Sequence, residues 1–231
     1  MNLAIIPARR GSKRIANKNV KSFLGKPIIA YSIDVAKESG IFETVMVSTN
    51  CPQISEVARN YGADVPFMRS EEASNDHAGL EEVLEEVINS YLNLGIRYEN
   101  ACIILATAPF VTISKLKLGL ELLKKEKCSS VVPVCRFAYP VQRSLKIVEE
   151  RLELIWSEYY QYRSQDLEPA YHYVGQFYWI RVSELEKVKN NFFQGAQPLE
   201  IPETEVQDID SLSDWDLAEF KYQWLQREKR Q

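Results

Sequence analysis

Five short apolar runs, at residues 3–7, 44–48, 64–67, 101–105 and 130–134, recur along the chain with segments of helical period between them. Runs of this length, bounded by turn residues or charge, read as strands. The segments between them read as helices at 28–37, 54–61, 80–92 and 114–125. In the third, Leu80, Val83, Leu84, Val87, Ile88, Tyr91 and Leu92 follow an i, i+3, i+4, i+7 stripe with glutamates on the opposite face. Strands separated by helices need crossover connections, so the pattern predicts an α/β fold: three layers, a mainly parallel sheet and helices on both faces. With 231 residues, 45% hydrophobic and 26% charged, the chain is long enough to bury a full core and reads as one domain spanning 1–231.

The rhythm breaks after Val134. Residues 136–179 crowd Tyr159, Tyr160, Tyr162, Tyr171, Tyr173, Phe177, Tyr178 and Trp179 together. Such a cluster is either core or, over about 136–180, an inserted protruding arm whose aromatics make a dimer contact. A hairpin is expected over 144–155 around Glu149-Glu150-Arg151, and another strand over 176–181. A closing helix is predicted at 211–229, with Leu212, Trp215, Ala218, Tyr222 and Leu225 on one stripe, Ser211 as N-cap and Asp214 in the first turn.

Charge is distributed unevenly. The net charge is −4, yet the first 33 residues hold seven cations and no carboxylate. Most of them fall in Arg9-Arg10-Gly11-Ser12-Lys13-Arg14 and Lys18-Asn19, directly after the first apolar run. Open α/β sheets bind ligands where the chain leaves the carboxyl end of a strand. Gly11 permits a turn, Ser12 offers a small donor, and Lys13, Arg14 and Lys18 carry charge suited to a polyphosphate. Arg9, nearest the strand, is expected to point inward. No Walker pattern is present. The competing reading is a solvated basic face or a nucleic-acid patch, although the net negative charge argues against a chain built mainly to coat nucleic acid.

The cysteines, at 51, 102, 128 and 135, are too far apart for a C-x-x-C pair and read as reduced cytoplasmic thiols. No eighteen-residue apolar stretch and no secretory leader is found, so membrane spanning and secretion are not expected.

A second charged group, Asp208-Ile209-Asp210, stands just before the last helix. If 206–210 is a strand, its period of two puts both carboxylates on one face. Their mutual repulsion is relieved either by water, as an exposed helix-capping pair, or by a hard cation, Mg²⁺ or Mn²⁺ rather than zinc. Together with the basic loop, the pair suits a metal nucleotide triphosphate.

The residues Ile5-Ile6-Pro7-Ala8-Arg9-Arg10-Gly11-Ser12-Lys13-Arg14, Lys18-Asn19, Val47-Ser48-Thr49-Asn50, Thr107-Ala108-Pro109 and Asp208-Ile209-Asp210 resemble the acylneuraminate cytidylyltransferases along nearly the whole chain. Pro140-Val141-Gln142-Arg143, Arg163-Ser164-Gln165-Asp166 and Gly175-Gln176-Phe177-Tyr178-Trp179 look most like the branch that accepts pseudaminic acid. The resemblance implies a nucleotide-diphospho-sugar transferase-like fold and transfer of CMP from CTP to the anomeric hydroxyl of a nonulosonic acid, with release of pyrophosphate. It further implies that Arg9, Arg10, Gly11, Ser12, Lys13, Asn19 and Arg69 hold the nucleotide, and that Lys18, Asp208 and Asp210 serve catalysis, with the two acids binding Mg²⁺ or Mn²⁺. Thr107, Gln142, Arg143, Arg163, His172, Gln176 and Tyr178 are implied to line the sugar pocket, some of them supplied by the partner subunit of a homodimer. The chain departs from the pattern at Arg10, Asn50, Leu80, Leu105 and Tyr173, which bears on the acid accepted more than on the reaction. Pseudaminate, legionaminate and N-acetylneuraminate rank in that order, and a non-catalytic nucleotide- or RNA-binding module is the reading from another class.

Overall fold

The computed structural model describes residues 1–11, 14–75, 78–125 and 128–228, so the expectations placed on Ser12 and Lys13 lie outside the described residues. The strands are β1 (Asn2–Pro7), β2 (Ser22–Phe23), β3 (Lys26–Pro27), β4 (Thr44–Ser48), β5 (Asn100–Ile104) and β6 (Ser130–Arg136), then β7 (Leu145–Val148), β8 (Arg151–Leu154), β9 (Tyr171–Tyr173), β10 (Phe177–Arg181) and β11 (Ala196–Glu200). The helices are α1 (Ile28–Ser39), α2 (Pro52–Asn60), α3 (Leu80–Asn93), α4 (Ile113–Leu123), α5 (Leu185–Asn190) and α6 (Leu212–Glu228).

The central sheet runs β11-β6-β10-β5-β1-β4, with β9 paired to the far end of β6. β1 is parallel to β4 and β5, and β11 is parallel to β6, while β10 is inserted antiparallel between β5 and β6. The sheet is therefore mainly parallel, as expected. Alternation along β1 explains the three layers: Ala4 and Ile6 enter a core with Ile29, Ile33, Ile54 and Leu116 from α1, α2 and α4. Leu3 and Ile5 enter the opposite core with Val83, Leu84 and Val87 of α3 and Val188 of α5. Each fully buried aliphatic side chain of this kind contributes about 1.5–3 kcal/mol of transfer free energy.

Two expected strands are corrected. The run 64–67 makes only a single parallel bridge, Asp64 to Met46, because Pro66 has no N–H to continue a ladder. Segment 206–210 forms no strand. Its alternation nevertheless survives, with Ile209 buried, Asp208 exposed and Asp210 between. The hairpin is β7–β8, where Glu149 and Glu150 both take positive φ, 48° and 62°. Ile147 and Leu152 of this hairpin are 76% and 69% exposed. β11 was not foreseen, since Pro198 lies within it; an edge strand tolerates the proline that an interior one would not.

A third, smaller core bears most directly on function. Ile15, from the cationic loop, and Ile209, from between the two acids, are buried together with Phe23, Ile28, Phe110, Trp215 and Ala218. Helix α6 thus holds the two charged segments side by side. Its start is a capping box: Ser211 Oγ accepts from Asp214 N at 3.3 Å, and Asp214 Oδ2 accepts from the backbone N–H of Ser211 at 2.7 Å and of Asp210 at 3.1 Å. These bonds hold the Asp214 carboxyl below its ordinary value of 3.8, the Ser211 side chain having the largest effect.

Candidate active site

The ends of β1, β4 and β5 open on one cleft of about 440 Å³, lined among others by Arg9, Gly11, Arg14, Lys18, Asn19, Arg69 and Thr107. The loop after β1 first extends the ladder, Ala8 N donating to Ser48 O at 2.9 Å. Gly11 then turns it at φ +103°, a conformation that strains any residue with a Cβ. Asn17 takes the left-handed conformation at φ 51° and starts the single turn Lys18–Val20. Asn19 Nδ2 donates to Arg9 O at 3.1 Å and closes the loop on itself, while Arg9 Nη1 reaches Asn75 O at 3.2 Å.

The acid segment packs directly against this loop. Arg14 Nη2 lies 2.7 Å from Asp210 Oδ1, Lys18 Nζ lies 3.7 Å from the same oxygen, and Lys18 Nζ also donates to Ile209 O at 2.6 Å. Lys221 Nζ donates to Val206 O at 2.8 Å and steadies the other end of the segment. The cationic turn and Asp210, almost two hundred residues apart in sequence, therefore meet directly. Asp208 lies beside Gly175: a Cβ built there would sit 4.0 Å from Asp208 Oδ1 and 3.4 Å from Leu105 Cδ1.

Arg69 is buried, and its Nε and Nη2 donate to Ser48 Oγ at 2.9 Å and Ser48 O at 2.5 Å. Burial lowers its pKa to about 10, with Glu86 opposing the shift and Arg9 adding to it. It remains a cation at neutral pH, held rigidly at the cleft wall. Tyr178, buried on β10, has its phenol pushed up by burial first and by the charges of Tyr173, Asp208 and Glu81 after it. Gln176 is buried; its Nε2 donates to Glu205 O at 2.6 Å, whereas its Oε1 has no partner.

The remaining expected residues lie elsewhere. Arg10 turns to a neighbouring depression beside Pro52 and Gln53, at the start of α2. Gln142 donates to Glu168 O at 2.9 Å, Arg163 makes a two-pronged pair with Asp166 at 2.7 and 3.2 Å, and Arg143 bonds Tyr162 O. His172 lies against Phe137, the rings tilted with centroids 4.9 Å apart, and with Arg143 lines a separate depression of about 710 Å³ on the 136–180 segment. The chain therefore does not bring Arg143 and His172 into the cleft at the strand ends. Arg14 stood out in the sequence only as one charge in a run. Its pairing with Asp210 has no local signal, because it depends on the packing of α6.

Asp208 and Asp210 offer oxygen donors only, Asp210 being paired with the cleft residues Arg14 and Lys18, and the described residues contain no group of three or more His, Cys, Asp or Glu able to hold a metal. That donor set fits Mg²⁺, which is commonly bound by one or two carboxylates with phosphates and water completing its shell.

A cytidylyltransferase family model matches residues 3–173. The chain is 37% identical over 228 residues to the pseudaminic acid cytidylyltransferase of Campylobacter jejuni, covering 96% of each chain. It is 30% identical over 224 residues to the CMP-N,N'-diacetyllegionaminic acid synthase of Legionella pneumophila, covering 94% of each. Among solved structures, CMP:2-keto-3-deoxy-manno-octonic acid synthetase complexed with CTP aligns at TM-score 0.69 and 16% identity, over 98% of this chain and 99% of that one, a likeness of fold. With the parallel sheet, the cleft at its strand ends and these matches together, the chain belongs to the cytidylyltransferase family.

Proposed function

We propose that the protein transfers CMP from CTP to the anomeric C2 hydroxyl of a nonulosonic acid, with pseudaminic acid the preferred acceptor. The observation that carries the reading is the direct meeting of Asp210 with Arg14 and Lys18 at the cleft's wall. The similarity to the pseudaminic acid enzyme supports the choice of acceptor. The acceptor hydroxyl oxygen bonds to the α-phosphorus, the bond from that phosphorus to the bridging oxygen breaks, pyrophosphate leaves, and the hydroxyl proton passes to water. Negative charge grows on the transferred phosphoryl and on the leaving pyrophosphate. Arg14 and Lys18 are already in place to meet it, so they favour the transition state over the ground state. Arg69, braced by Ser48, fixes the nucleotide side of the cleft, and Asn19 keeps the loop in shape by holding the Arg9 carbonyl. Asp208 and Asp210 would hold Mg²⁺ or Mn²⁺, whose charge supplies Lewis-acid stabilisation of the phosphates.

Arg143, Arg163 and His172 act from the arm of a second copy in a homodimer. The exposed apolar face of β7–β8 supports that placement, and an arginine fork suits the acceptor carboxylate. Among the described residues, no helix is long and apolar enough to cross a membrane. The test is pyrophosphate release from purified protein with CTP, Mg²⁺ and each of pseudaminic, legionaminic and N-acetylneuraminic acid. Release with pseudaminic acid foremost is the expected result; release no greater than in an acid-free control with every acceptor overturns the reading.

A further inference from the structure

Building on the transfer proposed above, we infer that Leu105 selects the acceptor, favouring an acid that turns a deoxygenated surface toward it over a polyhydroxylated one. Leu105 follows directly on β5, and its backbone is clamped on both sides: its N donates to Gln176 O at 2.9 Å and its O accepts from Ser32 Oγ at 2.7 Å. The direction of its Cα–Cβ bond is therefore fixed. That side chain lines the cleft, half-buried, with Leu80 and Val83 continuing the apolar wall.

Its position relative to the acids gives it this role. Leu105 Cδ1 and Asp208 Oδ1 come within 3.4 and 4.0 Å of the place a Cβ on Gly175 would occupy, so the leucine methyl and the carboxylate both border the space beside that glycine. An acceptor whose hydroxyl attacks beside the acid pair must pass over Leu105. A substrate hydroxyl set against leucine gives up water and gains no partner, while a methyl or methylene loses nothing. N-Acetylneuraminic acid carries hydroxyls at C7 and C9; pseudaminic acid has an acylamino group and a methyl there. The wall therefore discriminates by what it fails to offer.

The experiment compares wild type with Leu105→Gln, measuring kcat/KM for pseudaminic and for N-acetylneuraminic acid and the KM for CTP. An apolar pocket discriminates against an added hydroxyl by roughly 100-fold at most, so the pseudaminate preference should fall by about 10- to 100-fold in the glutamine variant. The KM for CTP should stay close to that of wild type, and Leu105→Met should keep the preference. Should Leu105→Gln lose CTP-dependent thermal stabilisation, Leu105→Thr takes its place with the same expected drop. An unchanged ratio in a folded polar variant, or an equal drop in Leu105→Met, overturns the inference while leaving the transfer itself intact. A wild type inactive with every acid removes the underlying reading, and this one with it.

Discussion

Replacing Lys18 with methionine removes the cation that straps the first loop to the last segment, while keeping most of its stem. The ammonium side chain is 19% exposed, donates to Ile209 O at 2.6 Å and lies 3.7 Å from Asp210 Oδ1. At an effective dielectric of about 20, a unit pair at that distance is worth about 4–5 kcal/mol before solvent is counted. Asp210 is 39% exposed and already paired with Arg14, so much of this is screened. What remains is a hydrogen bond from a charged donor, and its loss should cost about 1.5–3 kcal/mol of folding stability. The catalytic loss should be larger in effect. A preplaced donor aimed at developing charge contributes about 10²–10³-fold in kcat, whereas its ground-state contribution to the KM for CTP is smaller. Pyrophosphate release at saturating CTP, Mg²⁺ and acceptor reads the loss in kcat, and urea unfolding reads the loss in stability. Lys18→Arg, which keeps the charge but not the shape, should recover part of kcat. A folded Lys18→Met protein that retains kcat within about threefold would refute the reasoning, because less than 1 kcal/mol would then separate the two transition states.

Three further outcomes follow from the geometry. Trp215 is 3% exposed at the centre of the core that also holds Ile15 and Ile209, so Trp215→Ala should cost about 3–5 kcal/mol in urea unfolding and lower kcat even at temperatures where the protein stays folded. If the arm is the dimer contact, Ile147→Glu together with Leu152→Glu should convert a dimer to a monomer by light scattering and suppress turnover without weakening CTP binding; an unchanged mass would count against it. Asp214 titrates below its ordinary 3.8, so its stabilisation is complete above that value and is lost as the pH falls through the lower folded value. The difference in Tm between wild type and Asp214→Ala should accordingly be present at neutral pH and vanish in strong acid.

The sequence revealed some of this arrangement clearly and left other parts hidden. Where periodicity controls the outcome, as in the 80–92 stripe or the buried run at 3–7, expected and observed elements coincide within a residue or two. The failures have two causes, a proline in the run or a backbone satisfied by side chains. Asp64 pairs with Met46 but Pro66 ends the ladder at once, and 206–210 keeps the alternation of a strand without a strand's partner, because Lys18, Lys221 and Asp214 satisfy its backbone instead. β11 was hidden by Pro198, whose missing donor matters little at an edge. The charges of the site could be read directly, Arg9, Lys18, Asp208 and Asp210 among them. Their convergence could not, since it rests on Ile15 and Ile209 meeting Trp215, a contact between residues about two hundred positions apart with no signal in either neighbourhood. The residues expected to line the sugar pocket divide the same way: Thr107 and Tyr178 are placed by the sheet, while Arg143, Arg163 and His172 sit on the 136–180 segment, outside the strand-end cleft.

The claim that one cleft holds a metal triphosphate between the early cations and the late acids is tested most directly by calorimetric titration of CTP, with and without Mg²⁺, into wild type and Asp208→Asn/Asp210→Asn. Wild type should bind CTP more tightly with Mg²⁺ present by at least about tenfold, a difference of 1.4 kcal/mol, and the doubly substituted protein should lose that gain while keeping its metal-free affinity. An undiminished Mg²⁺ effect in the doubly substituted protein would contradict the account.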